Sequence, residues 1–374
     1  MSGVAWKKLV TVPFSDEILD RGFTNARKAA DNVYDPKKTF RVKKQMTRMI
    51  QASVDTMAEQ LMSHVQNWPS IEQLELFDIA LIDAAVGLDN YKHNLSMLQW
   101  CSKQIRSVAK QNIDKITKTG NIEFMHKTRR EAYGRISSIV NQTSSSLEWL
   151  NSARETLKKL PSIDYSNPCI VVTGAPNVGK SALISSLSTG NPEVASYPFT
   201  TKQLHLGHFE HRRLRYQIVD TPGLLDRPMK ERNSIELQAI AALEHIGNIV
   251  LFVIDYTEEC GTTIEEQNSL LQDVKKLLKQ KEILIIETKA DLMYIEEKEL
   301  QEYKSLETNL DFEEYDITKI KFIRNDKTGN IMISTKENFG LDSLKYFMIN
   351  KIKNSENENP LELPKGWYRS DLDN

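Results

Sequence analysis

Residues 169–188 read CIVVTGAPNVGKSALISSLS. A continuous β-branched run, a glycine-bounded turn and an apolar-periodic stretch follow one another without a spacer, which few folds accommodate. The run CIVVTG (169–174) suits a strand covered on both faces of a parallel sheet. Gly174-Ala175-Pro176-Asn177-Val178-Gly179-Lys180-Ser181 then matches GxxxxGK[ST] between that strand and a helix, the context the motif requires. The glycines let backbone N–H groups curl around a phosphate, and the helix N-terminus that follows favours negative charge. Lys180 is expected to reach β- and γ-phosphate oxygens, with Ser181 as a Mg²⁺ ligand and Ala182 lining the same turn.

More short apolar runs follow at LRYQIVD (214–220), NIVLFVID (248–255) and EILIIET (282–288). Helical stretches separate them at Lys180–Ser188, Ile235–Ile246 and Ile264–Lys279. This alternation predicts a doubly wound α/β domain with a mostly parallel sheet over 169–353.

Residues 15–160 have a different rhythm. Ser15 is a plausible N-cap, with Asp16 and Glu17 in the first turn. Met46, Met49, Ile50, Val54, Met57, Leu61 and Val65 recur at helical spacing, and the methionines are read as core. Ile71–Val86 is another helix, which Gly87 ends or bends. Tyr91–Lys118 and Glu123–Lys159 read as two long amphipathic helices split by Thr119-Gly120-Asn121. The prediction is an N-terminal all-α helical bundle (1–160), a Pro-containing linker (161–168), the α/β P-loop domain (169–353) and a polar tail (354–374), largely extended or disordered unless it docks.

Further motifs sharpen the nucleotide reading. Asp220-Thr221-Pro222-Gly223 ends a predicted strand. An acid there can hold Mg²⁺, usually through water, and the Gly223 N–H can meet a γ-phosphate. Tyr197-Pro198-Phe199-Thr200-Thr201-Lys202 lies between the first helix and the next strand. Thr201, favoured over Thr200, is expected to close over Mg²⁺ only when the γ-phosphate is present. Thr288-Lys289-Ala290-Asp291 follows EILIIE. Asp291 can accept from guanine N1 and N2 while the Lys289 stem lies over the ring. Thr288 supplies one hydroxyl where such motifs usually carry an asparagine amide. The backbone of Ile333-Ser334-Thr335-Lys336 can bind guanine O6. GTP and GDP are therefore the expected ligands, with Lys180, Thr201 and Gly223 contacting the reacting phosphate. Leu224 follows DTPG and cannot polarise water, so hydrolysis is expected to be slow or to use another group. One such group is K⁺ held with the help of Asn177; the plain alternative, equally weighted, is that Asn177 only shapes the loop.

These motifs together resemble the Obg branch of translation-factor-class GTPases. More narrowly, YPFTTK, DTPGLLDRPMKERNSIELQAIAAL and, in the helical half, FDIALIDAAVGLDNYKHNLSMLQW and TRREAYGRISSIVNQTSSSLEWLNSARETLKKLP resemble the nucleolar GTP-binding protein (Nog) family over roughly residues 5–350. The resemblance implies GTP binding with weak intrinsic hydrolysis, a role in large-ribosomal-subunit assembly, and an N-terminal bundle on ribosomal RNA. It looks like an archaeal-type member, which implies the cytoplasm, and a monomer when off the ribosome. Two departures stand out: TKAD in place of NKxD, and a long segment, 296–333, that reads as a β-hairpin turning near Asp326–Asn330.

Charge supports a polyanion partner only modestly. The net formal charge of −2 divides into 24 basic and 18 acidic residues over 1–165, against 25 and 33 over 166–374. Arg106, Lys110, Lys115, Lys118, Lys127, Arg129, Arg130 and Arg135 flank one helix–helix connection. They read as a solvated face from charge alone, and as an RNA face through the family resemblance. His205, His208 and His211 alternate faces of a predicted strand and do not read as a metal site. No run is apolar enough for a membrane span. Cys101, Cys169 and Cys260 are widely separated, so neither a disulfide framework nor a zinc site is expected. Two rivals remain. A signal-recognition-particle-type GTPase shares the helical bundle and TKxD, but carries a GxGKTT-like loop and DTAG. A nucleotide-regulated RNA-binding scaffold without useful turnover is compatible with Leu224.

Overall fold

The structure is a computed structural model, and it describes residues 6–196, 203–220, 246–279, 281–293 and 327–358, with single positions at 198, 225, 236, 239, 240, 243, 324 and 325. The chain divides into two compact units between Ser162 and Ile163.

The first unit is helical. It comprises α1 (Ser15–Asp31), α2 (Lys38–Asn67), α3 (Leu76–Val86), α4 (Leu88–Lys118), α5 (Ile122–Asn141) and α6 (Ser144–Leu157). The apolar stripe of α2 is buried at Met46, Ile50, Val54, Met57 and Leu61, while Met49 is half-buried. The helix packs on α1, α4 and α5, which bury Ile18 and Ala26, Leu98 and Ile105, and Met125 and Ile136 respectively. Gly87 separates α3 from α4 at φ 79°, and its N–H donates to Asp83 O at 3.0 Å. Asn121 Oδ1 caps α5 by accepting from the Phe124 N–H at 3.1 Å.

Four sequence expectations are corrected here. Ile71–Val86 is not one helix but a 3-10 turn at Ile71–Gln73 followed by a helix from Leu76, and residues 354–358, read as tail, are helical. Glu123–Lys159 is not one helix. It breaks at Gln142-Thr143, where the Thr143 hydroxyl donates to Val140 O (2.7 Å) and the Ser144 hydroxyl lies 2.8 Å from Asn141 O. Short polar side chains in NQTSSS compete for helical carbonyls and so favour a break. Ser15 is the first residue of α1 and not its cap. Its hydroxyl lies 2.9 Å from that of Ser144, while Glu17 Oε2 accepts from the Phe14 N–H at 3.1 Å.

The second unit is a seven-stranded sheet with order β2-β3-β4-β1-β5-β6-β7. The strands are β1 (Cys169–Gly174), β2 (Glu193–Ser196), β3 (Gln203–His211), β4 (Leu214–Asp220), β5 (Ile249–Ile254), β6 (Ile283–Glu287) and β7 (Ile331–Met332). Strands β4, β1, β5, β6 and β7 run parallel; β2 and β3 are antiparallel. Every residue of β1 and β5 is buried, which explains their unbroken apolar sequences. Helices α7 (Lys180–Leu187), α8 (Ile264–Leu277) and α9 (Leu341–Glu358) pack on the sheet. After β1 the chain returns to the sheet on one side as β4 and later on the other as β5. Sheets of this kind bind ligands at the carboxyl ends of the strands beside such a switch point. The histidines lie in β3 as expected, with His211 edge-on to Tyr346 at 5.8 Å between ring centroids.

In the helical unit, Asn151 pins the N-terminal segment. Its Oδ1 accepts from the Val12 N–H (3.1 Å) and its Nδ2 donates to Val12 O (2.7 Å). Asn151→Leu strands both backbone groups beside a buried valine, and should cost about 2 kcal/mol. Urea unfolding followed by circular dichroism measures this; an unchanged midpoint would show that the bidentate contact contributes nothing.

Candidate nucleotide site

Gly174 ends β1 at φ 145°, and a Cβ there would lie 2.3 Å from Val253 O, so only glycine fits. Asn177 at φ 61° and Gly179 at φ 102° complete the turn before α7 begins at Lys180. Asparagine tolerates this left-handed backbone better than most residues, which gives Asn177 a conformational reason to be where it is. Its side chain is exposed, as are those of Ser181 and Ala182, while Ala175 and Val178 are buried and Pro176 is half-buried. Lys180 is buried to 8% exposure, and its Nζ donates to Gly174 O (2.9 Å) and Ala175 O (2.8 Å). The loop therefore places an ammonium and the N-terminus of α7 at one spot, an arrangement suited to an anion.

The Ser181 hydroxyl donates to Asp220 Oδ2 at 3.3 Å. A hydroxyl and a carboxylate at the edge of a phosphate loop form a hard-oxygen donor pair that fits Mg²⁺. Thr173, beside Gly174, donates its hydroxyl to Leu225 O at 2.8 Å, anchoring the chain just past DTPGL. Phe199, Thr200, Thr201, Gly223 and Leu224 lie outside the described residues.

At the neighbouring strand ends, Thr288 Oγ1 donates to Val178 O (2.7 Å) and lies 3.3 Å from Ile254 O. One hydroxyl thus staples the end of β6 to the phosphate loop. Lys289 adopts φ 58°, and its Nζ is 2.7 Å from Asp255 Oδ2. Asp291 Oδ1 accepts from the Ser334 hydroxyl at 2.6 Å, and Lys336 Nζ stands 3.8 Å from Oδ2. The backbone of 333–336 is only partly available. The Ile333 N–H donates to Glu287 O and the Ser334 N–H to Phe339 O, so the remaining N–H donors are those of Thr335 and Lys336. This corrects the expectation for Ser334: its backbone is committed to Phe339, and its side chain instead positions Asp291.

Sequence reasoning missed three groups. Asp255 directly follows β5 and is fully buried. It accepts from Lys289 Nζ, the Thr257 N–H and hydroxyl, and the Cys260 N–H. Buried Gln267 of α8 clasps the Asp255 backbone, its Oε1 accepting from Asp255 N–H and its Nε2 donating to Asp255 O, both at 2.9 Å. Glu287, also fully buried, accepts from Asn325 Nδ2 (2.7 Å), the Thr328 hydroxyl (2.5 Å) and Asn330 Nδ2 (2.9 Å). Those donors form the tight turn of the expected hairpin, closed by the antiparallel Arg324–Ile331 bridge; residues 294–323 lie outside the described residues. An acid closing a buried strand, as in FVID and LIIE, repeats the pattern already read at QIVD and was the available signal.

A P-loop nucleotide-binding fold is therefore what the second unit presents. The family is given by comparison. Residues 6–164 match the model of the NOG1 N-terminal helical domain, and residues 234–291 match that of nucleolar GTP-binding protein 1. An uncharacterised protein of Methanocaldococcus jannaschii is 35% identical over 77% of this chain and 81% of its own length. Nucleolar GTP-binding protein 1 of Saccharomyces cerevisiae is 31% identical over 82% of this chain and 47% of its own length. The chain spans about half the length of such eukaryotic relatives. A crystal structure described as a nucleolar GTP-binding protein 1 of Plasmodium falciparum is 36% identical over 54% of this chain and 94% of its own, with a TM-score of 0.40. The chain belongs to the nucleolar GTP-binding protein family.

Burial pushes the Asp255 pKa up, but the hydrogen bonds from Lys289 and Thr257 outweigh it, and the carboxyl sits below its ordinary value. A depressed folded-state pKa contributes stability that is complete above the unfolded value, about 3.9, and is lost as pH falls through the folded one. Asp255→Asn loses the charge-assisted hydrogen bond from Lys289 and should cost about 2–3 kcal/mol at pH 7. The gap to wild type should narrow below about pH 4. Urea titrations at several pH values test this, and a gap that widens toward acid would contradict it.

Proposed function

We propose that this protein binds GTP and GDP with Mg²⁺, hydrolyses GTP slowly, and acts as a nucleotide-dependent switch in assembly of the large ribosomal subunit, contacting ribosomal RNA through its helical unit. The observation that carries the base assignment is Asp291: it lies three residues after Thr288, which bonds the phosphate loop, and its carboxylate accepts from the Ser334 hydroxyl. A carboxylate is acceptor-only and matches guanine's N1–H and N2–H₂ donors; adenine offers an acceptor at its own N1. Lys180 would bear on the phosphates. Ser181, Asp220 and Thr201 would hold the Mg²⁺, which supplies charge neutralisation at the transferring phosphoryl group. Gly223 would sense the γ-phosphate. Phe199 and Thr200 belong to the same switch segment.

Leu224 stands where a water-orienting side chain would be useful, so turnover by the chain alone is slow. Asn177 would help to hold a K⁺ that offsets transition-state charge. GTPase assays should run about tenfold faster, or more, in K⁺ than in Na⁺ buffer; equal rates would remove the K⁺ role. Asp291→Ala should weaken GDP binding about 100-fold without improving ADP. An unaltered GDP affinity would refute the base assignment.

The RNA face is proposed around the α4–α5 connection, where Arg106, Lys110, Lys115, Lys118, Lys127, Arg130 and Arg135 are exposed. Arg129 is different: its guanidinium lies over the Tyr133 ring at 5.2 Å, so its replacement would also disturb packing. Arg130→Glu is the cleaner probe. It should lower co-sedimentation with large subunits, most clearly at low salt and less as salt rises, and leave GDP affinity unchanged. Unchanged subunit binding would count against this face. Off the ribosome we place the protein in the cytoplasm as a monomer. The scaffold alternative is favoured by Leu224 alone, and no multiple turnover with subunits present would select it.

A further inference from the structure

We infer that this site reads guanine without a side-chain donor to N7, because Thr288 commits its only hydroxyl proton to the phosphate loop. The inference rests on the guanine reading above. Guanine offers four polar features on its readable edges: N1–H and N2–H₂ donate, O6 and N7 accept. Asp291 meets the two donors. O6 and N7 both need donors, and the described residues around the base supply few.

The Thr288 N–H donates to Ile254 O, the Ala290 N–H to Ile333 O, and the Ile333 and Ser334 N–H groups to Glu287 O and Phe339 O. The Ser334 hydroxyl is on Asp291. Lys289 Nζ is tied to buried Asp255 and is 3.8 Å from Glu259. The Thr335 and Lys336 N–H groups remain beside Asp291, on the side of O6, which adjoins N1 in the ring. N7 lies beyond O6, on the imidazole side that carries the sugar and phosphates and therefore faces the phosphate loop. Thr288 is the residue on that side: an ideal Cβ on Gly179 would come within 3.9 Å of its Oγ1. A threonine hydroxyl has one proton, and here it is 2.7 Å from Val178 O. An asparagine amide would offer two protons and an acceptor, enough for a loop contact and N7 together. The TKAD sequence therefore trades a base contact for a loop staple, and a base with carbon at position 7 loses nothing.

The test is titration of the purified full chain with Mg²⁺ and GDP, 7-deaza-GDP or ADP, read by displacement of a fluorescent guanine nucleotide. For the wild type, GDP and 7-deaza-GDP should agree within about twofold, since no hydrogen bond is lost. Thr288→Asn should bring discrimination of about fivefold against 7-deaza-GDP. Thr288→Val removes the staple and should weaken both ligands alike. A wild-type preference for GDP of tenfold or more, or a Thr288→Val loss confined to GDP, overturns the inference while leaving the guanine reading intact. ADP binding as tightly as GDP overturns the guanine reading itself. The wild-type comparison decides the matter even where a variant does not fold.

Discussion

The nucleotide site depends on one close approach. The backbone of Gly174 comes so near Val253 O that any side chain is excluded. β1 is the central strand, paired with β4 on one side and β5 on the other. Turning the chain out of the sheet at Gly174 brings the loop over the ends of both neighbours. From there Asp220, at the end of β4, can meet Ser181, and Ile254, at the end of β5, can meet Thr288. The burial of β1 and β5 holds this geometry rigid, and the left-handed turns at Asn177 and Gly179 deliver Lys180 back onto the loop it follows.

Three of the parallel strands, β4, β5 and β6, end in or just before a buried acid: Asp220, Asp255 and Glu287. A buried carboxylate is costly unless its oxygens are satisfied. Each of these acids is answered by a different part of the site. Asp220 faces the first turn of α7. Asp255 takes the Lys289 ammonium. Glu287 takes three neutral donors from the hairpin turn, and the same turn leads directly into β7 and then to Ser334. The carboxylates thus register the phosphate loop, Lys289 and the segment behind Asp291 against the carboxyl ends of the strands.

What was legible in the sequence follows from how local each signal is. The phosphate loop, the parallel strands and the bundle helices are written in contiguous residues, so CIVVTG and the α2 stripe could be read without knowing their neighbours. The hairpin turn near 326–330 was legible for the same reason. The break at Thr143 was not, because NQTSSS is polar enough to stay on an exposed helix face and its effect lies in competing hydrogen bonds. Asp255, Gln267 and Glu287 were missed because their partners are distant in sequence: Gln267 clasps the backbone of Asp255, and Glu287 reaches residues around 328. The family was legible in contiguous motifs and the comparison with relatives bore it out, whereas Thr201 and Gly223, expected from the sequence to sense the γ-phosphate, fall outside the described part of the structure.

Thr288 shows why an altered motif need not be a weakened one. Its hydroxyl bridges two elements, the phosphate loop and the end of the strand that leads into Lys289 and Asp291. A ligand that must order both ends of its site gives up part of its binding energy to do so. A staple present beforehand removes some of that ordering cost. On the reading proposed above, the exchange of an amide for a hydroxyl would move affinity from a direct base contact to preorganisation, and selectivity for guanine would be left to the carboxylate of Asp291, which accepts from the Ser334 hydroxyl.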